Sequence, residues 1–191
     1  MEKIDKDIGF LDSFSADTAI VPQVINKLIN DLNEVQYPQD EIDEIVLSMD
    51  EAITNAVQET IHKNTPQESL SDRREITIRY TVRENEFDAT IIDHGKGLDL
   101  FNIMNSVPDN ESDEYHQQII SYASESEKKR IKVRVNNIEI PLRGIGAGLK
   151  IILNFMDSVT IDLIDKEKVL SPSVSEHTDG TIFNMKRTRR Y

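Results

Sequence analysis

Residues 76–93 constrain the fold most. ITIRYTV (76–82) and FDATIID (87–93) each alternate apolar and polar side chains with a period of two, and RENE separates them. That pattern predicts an antiparallel hairpin with one apolar face and one polar face. A one-faced sheet needs a layer of helices against its apolar side. The chain supplies that layer before the hairpin. Val21, Val24, Ile25, Leu28, Ile29 and Leu32 form one helical stripe. Ile42, Ile45, Val46, Met49, Ile53, Ala56 and Val57 form a second, on a helix over 40–61.

The remaining elements follow the same logic. Residues 8–14 read as an opening edge strand, with Ser15 and Asp17 as caps for the first helix. Pro22 sits in that helix's first turn, where a missing N–H does no harm. YPQD (37–40) is a turn leading to an Asp40 cap, and 62–73 is a polar connection. A third helix over 147–157 opens directly from glycines, and VTIDLID (159–165) and TIFNMKR (181–187) are the last strands, joined by a polar loop. Helices and strands are grouped rather than strictly alternating. The chain therefore reads as a single α+β domain over 1–191, with a mixed, mostly antiparallel sheet packed on helices, and not as a Rossmann fold.

Composition excludes several function classes. Lys and Arg number 22 against 35 Asp and Glu, a formal net charge of −13. That balance argues against direct binding of nucleic acid or an anionic membrane, because a phosphate surface needs a cationic footprint. The basic cluster Lys128, Lys129, Arg130, Lys132 and Arg134 reads as a solvated face. There is no Cys, hence no disulfide, thiolate metal site or thiol nucleophile. The four His lack ligand-like spacing. The charged N-terminus has no signal-peptide core, and no apolar run approaches the about 18 residues of a membrane span. A cytoplasmic protein is the expectation.

Three short constellations carry potential chemistry. Glu51 and Asn55 lie one turn apart on the second helix. A carboxylate and a carboxamide there suit Mg²⁺, which takes hard oxygen ligands and keeps several waters. The same pair also fits an ordinary polar helix face. Asp93 ends a strand and leads into His94-Gly95-Lys96-Gly97. A carboxylate there can accept a hydrogen bond from an exocyclic amine such as adenine's, although Asp-x-Gly is also ordinary turn chemistry. Arg143 precedes Gly144, Gly146 and Gly148, which feed a helix N-terminus whose bare N–H groups and dipole suit phosphate. Close helix–sheet packing through small residues is the alternative.

Taken in order, these motifs resemble the Bergerat ATP-binding fold of the GHKL superfamily: gyrase B, the heat-shock 90 chaperones, histidine kinases and MutL proteins. DEAITNAV (50–57) resembles the N-box, DHGKGL (93–98) the G1 box, and GIGAGLKIILNFMDSV (144–159) the G2 box. The chain is most similar to bacterial anti-sigma factor serine/threonine kinases. The resemblance implies a Bergerat-type α/β sandwich that uses ATP and Mg²⁺. It makes Glu51 the general base and Asn55 the magnesium ligand. It has Asp93 read the adenine amine in a pocket shaped by Gly95 and Gly97 and supported by Thr181. Gly144, Gly146 and Gly148 would meet the phosphates at the hinge of a long ATP lid over 98–143, with Arg143 on the terminal phosphate. Four residues after Asn55, where the family has His or Tyr, this chain has Glu59. The implied partners are an anti-anti-sigma protein as substrate, a sigma factor held by sequestration, and a second copy in a homodimer. Two rivals stay open: an ATP-gated protein-binding module without phosphotransfer, and a histidine-kinase-like ATP-binding domain. The second ranks lower, because no phosphoacceptor helix pair precedes the domain.

Overall fold

The computed structural model describes residues 7–63, 75–95, 133–135, 138–139, 147–165, 167, 170–171 and 178–190. Strand β1 (Ile8–Ser15) comes first, then helices α1 (Ile20–Glu34) and α2 (Gln39–Lys63). The hairpin is β2 (Glu75–Val82) and β3 (Glu86–Asp93). Two short strands follow, β4 (Val133–Val135) and β5 (Ile138–Glu139), then helix α3 (Ala147–Phe155). Strands β6 (Ser158–Asp165), β7 (Leu170–Ser171) and β8 (Thr178–Thr188) complete the chain.

All the strands join one sheet in the order β1-β2-β3-β8-β6-β4-β5, with β7 paired to β6. Every pairing is antiparallel except β4 with β6. The expected mixed, mostly antiparallel sheet on helices is the architecture found. Insertion of β8 between β3 and β6 brings the C-terminal strand to the centre, directly beside Asp93. Alternation decides which side is covered. Ile76, Ile78, Tyr80 and Val82 on β2, Phe87, Ala89 and Ile91 on β3, and Val159 and Ile161 on β6 are buried in the same core as the α1, α2 and α3 stripes. The opposite side carries a polar ladder in which Thr90 Oγ1 donates to Asn184 Oδ1 (2.8 Å) and Asn184 Nδ2 donates to Thr160 Oγ1 (3.2 Å).

Several local expectations need correction. The N-cap of α1 is Ala19, without a side-chain cap. Ser15 is still in β1, and the Asp17 carboxylate instead accepts the Ala19 N–H in the turn before the helix. Asp40 is not a cap either, because α2 already starts at Gln39 and Asp40 lies in its first turn. Helix α3 stops at Phe155. There the Asp157 N–H bonds the Lys186 carbonyl, and the Asp157 carboxylate accepts the Thr188 N–H, so the chain turns onto β8. Strand β8 begins at Thr178, inside the segment read as a loop. Strands β4 and β5 fall inside the interval expected to be the lid. The rest of 98–143 lies outside the described residues, as does the basic cluster apart from Arg134.

Two buried polar groupings tie the layers together. Tyr80 on β2 donates to Asp31 on α1 (2.6 Å), and Lys27 pairs with the same carboxylate. Burial, together with this hydrogen bond, pushes the Tyr80 phenol well above its ordinary value. Arg187 on β8 is 1% exposed and meets Glu44 (2.5 Å) and Glu41 (3.5 Å) at the start of α2. It also donates to the Phe155 carbonyl at the end of α3 (3.2 Å). Arg187→Ala would leave Glu41, itself 1% exposed, without its cation. Urea denaturation should show a loss of about 3–5 kcal/mol. A loss below about 0.5 kcal/mol, the range of surface substitutions, would show that the pair does not hold the layers.

Candidate nucleotide site

The site forms where α2 crosses the ends of β3, β8 and β6 and meets α3. Its apolar lining is Ala52, Ala56, Ile91, Leu149, Ile152, Ile161 and Phe183, and its polar lining is Asn55, Glu59, Asp93 and Thr181. The cleft holds about 510 Å³ of empty space, its opening to solvent included. It exists because α2 presents two alanines one turn apart at Ala52 and Ala56, where larger side chains would reach the sheet. An apolar cleft with a few convergent polar groups is the usual form of a small-molecule site.

Strand register builds the floor. Asp93 lies directly opposite Thr181, and Ile91 opposite Phe183, which also faces Ile161 on β6. Opposed residues of an antiparallel pair share one face, so these side chains form two adjacent rows under α2. Asp93 is 6% exposed and Thr181 5%. Asp93 Oδ1 accepts the Gly95 N–H at 2.7 Å, which fixes the carboxylate's orientation. Beside it β8 passes very close. A methyl group on Gly180 would run into the Asp93 carbonyl oxygen and come within 3.3 Å of His94 Cα.

Along α2, Glu51, Asn55 and Glu59 succeed one another at one-turn spacing. Glu51 is half-buried and Asn55 is exposed at the cleft. The first turn of α3 lies against the first two: a methyl group on Gly148 would strike Glu51 Oε2 and approach Asn55 Nδ2 to 3.4 Å. At the other end, a methyl group on Gly95 would meet Glu59 Cβ at 2.7 Å and Asp93 Oδ1 at 2.9 Å. Six predicted residues therefore converge: Glu51, Asn55, Asp93, Gly95, Gly148 and Thr181. Gly97, Arg143, Gly144 and Gly146 lie outside the described residues. Among the described residues no group of three or more His, Cys, Asp or Glu is arranged to hold a metal. A magnesium ion held by one carboxamide, phosphates and water needs no such group.

The apolar lining was not singled out from the sequence as part of a site. Ile91, Ile161 and Phe183 sit at inward positions of predicted strands, where alternation marks core without distinguishing core from cavity wall. The available signal was Ala56, a small residue inside a stripe of larger ones, with Ala52 one turn before it.

Comparison with known families bears on this arrangement. Residues 14–171 match the histidine kinase-like ATPase domain family. The chain belongs to that family. Membership implies an ATP-binding, kinase-like ATPase domain. A comparison with curated protein sequences gives no significant match. Among solved structures, a chain of the SiaB-SiaC complex from Pseudomonas aeruginosa shares the fold, with a TM-score of 0.55 and 11% identity over 94% of this chain and 88% of that one. Among the described residues no helix is long and apolar enough to cross a membrane.

The two close glycines should respond differently to substitution. Gly180→Ala drives a methyl group into main chain, which cannot swing away, and should cost about 1–3 kcal/mol in urea denaturation. Gly148→Ala meets the end of a flexible side chain and should change stability by less than about 1 kcal/mol. Equal costs would contradict the close approach of β8 to Asp93.

Proposed function

We propose that this protein is an ATP-dependent serine/threonine protein kinase of a bacterial partner-switching system. It phosphorylates an anti-anti-sigma protein and, when free of it, sequesters a sigma factor. The observation that carries this reading is the polarity of the cleft. Glu51 and Asn55 lie at the α3 N-terminus, and Asp93 with Thr181 lies at the opposite, buried end. In this reading the amine of adenine donates to Asp93, and Gly95, Gly97 and Thr181 shape that end. The phosphates lie toward α3, where its N-terminal N–H groups and dipole favour anions. Gly144, Gly146 and Gly148 line that approach, Arg143 meets the terminal phosphate, and the part of the 98–143 interval before β4 closes over the nucleotide.

Asn55 offers an uncharged oxygen to Mg²⁺, which when bound neutralises phosphate charge. Glu51 accepts the proton of a serine or threonine hydroxyl as that oxygen attacks the terminal phosphorus. The bond to the bridging oxygen breaks, and ADP leaves. A protein substrate is supported by the fold relative, a chain found in a two-protein complex. The acidic chain suits a partner with basic helices, such as a sigma factor. The protein is proposed to act in the cytoplasm as a homodimer, joined through α1 or an edge of the sheet, whose terminal strands are β1 and β5.

Glu51→Gln keeps the shape and removes the base. It should leave ATP affinity within a few-fold and slow phosphate transfer to a co-purifying protein by roughly 10²–10⁴. Asn55→Ala should instead lose Mg²⁺-dependent binding, measured by calorimetry with and without the metal. If Glu51→Gln transfers phosphate as fast as the parent, or the parent transfers none to any bound protein, the kinase reading falls.

A further inference from the structure

Leu47 is 42% exposed on α2, off the stripe that the helix turns to the core. It lies one turn before Glu51 and about 40° from it around the axis, so the two share one edge of the helix. Glu51 itself is half-buried where Gly148 of α3 abuts it. The fold thus leaves an apolar side chain in solvent next to the end of the cleft proposed for phosphate transfer. Its surroundings are all of one kind. On a helix surface the neighbours of position 47 are 43, 44, 50 and 51, and here they are Asp43, Glu44, Asp50 and Glu51. Glu44 is paired with Arg187. Asp43 is exposed and accepts a hydrogen bond from the neutral Gln39 amide (2.7 Å), and Asp50 is half-buried. Among the described residues neither Asp43 nor Asp50 forms an ion pair.

An exposed apolar side chain ringed by carboxylates selects its partner by charge. Phosphate surfaces are repelled. A second copy of this chain meeting the same face across a two-fold axis would bring Asp43 and Asp50 up to like charges. The complementary surface offers an apolar side chain to Leu47 and Lys or Arg to Asp43 and Asp50. The position beside Glu51 names the protein that carries it, because the phosphoacceptor must bring its hydroxyl to that carboxylate. Side chains one helical turn apart are separated by about 5–6 Å at Cβ, and an extended segment advances about 3.3 Å per residue. An apolar residue about two positions from the acceptor hydroxyl therefore reaches Leu47 while the hydroxyl reaches Glu51. We infer that Leu47, Asp43 and Asp50 form the docking surface for the phosphoacceptor protein. They select a serine or threonine segment with an apolar side chain and a basic residue close to the hydroxyl. This rests on Glu51 being the base of the proposed kinase.

Phosphate transfer from magnesium-ATP to an array of synthetic peptides tests it. Each peptide has a central serine, with flanks that are apolar or polar and basic, neutral or acidic. The parent should favour apolar, basic flanks over polar, acidic ones by about tenfold or more in kcat/KM. Leu47→Ala should remove most of the apolar preference, and Asp43→Lys most of the basic preference, both through KM rather than kcat. ATP affinity by calorimetry should stay within about twofold in both, since neither residue lines the cleft. Alanine is at least as good a helix former as leucine, and circular dichroism confirms the fold of each variant. Where the parent labels its co-purifying protein but no peptide, that protein replaces the array, and Leu47→Ala should raise its KM about tenfold. An unselective array, or an unchanged KM in both variants, overturns the inference and leaves the kinase reading standing. Dissociation of a homodimer by Leu47→Ala with KM unchanged also overturns it, and makes the face a contact between copies. Absence of transfer to any peptide or protein removes both the kinase reading and this inference.

Discussion

The guanidinium of Arg187 joins three of the elements from which the cleft is made: β8, α2 and α3. It sits on β8, the strand that also carries Thr181 and Phe183. It pairs with Glu41 and Glu44 at the start of α2, the helix that carries Glu51, Asn55 and Glu59, and it bonds the last carbonyl of α3, whose first turn faces the other end of the cleft. Burying such a charge is unfavourable unless partners surround it, and removing one partner is far worse than exchanging the whole set. The consequence is geometric. With α2 fixed at its start, each later turn reaches a set place over the sheet, and Ala52 and Ala56 fall above Ile91, Phe183 and Ile161. The cleft is the space those alanines leave.

The charge of the site explains how an acidic chain can take a polyanion. None of the described lining residues is cationic. Binding of the phosphates in the proposed pose therefore depends on backbone N–H groups at the start of α3, on magnesium and on Arg143. The carboxylates are spread along the cleft rather than gathered at one end. In the proposed pose Glu51 lies where a proton must be accepted, while Glu59 and Asp93 meet at Gly95 at the base-facing end.

The layers of the fold were legible because they depend on local periods. The hairpin over 76–93 and the stripes of α1 and α2 appear at the predicted places, with shifts of a few residues at their ends. What was not legible depends on tertiary pairing. No local pattern states that β8 inserts between β3 and β6, yet that placement puts Thr181 opposite Asp93. The short strands β4, β5 and β7 hold two or three residues each, too few for alternation to register. The Asp17 cap failed because the helix starts later: the Asp17 carboxylate accepts the N–H of Ala19, the N-cap residue itself. Within the site, the polar residues stood out through motif spacing. The apolar walls did not, since an inward residue over a cavity and one in close packing have the same pattern. Glu59 was visible as an unusual residue type, and only its position against Gly95 gives it a place in the cleft.

The central claim is that Asp93, held by Gly95 and paired with Thr181, reads the amine of adenine. Guanine presents a carbonyl at that position, which a carboxylate repels. The direct measurement is calorimetry of magnesium-ATP and magnesium-GTP on the parent and on Asp93→Asn, with the fold of the variant checked by circular dichroism. The account predicts that ATP binds the parent about tenfold or more tightly than GTP, and that Asp93→Asn weakens ATP by a similar factor. Equal binding of ATP and GTP, or full ATP affinity in a folded Asp93→Asn, would contradict it.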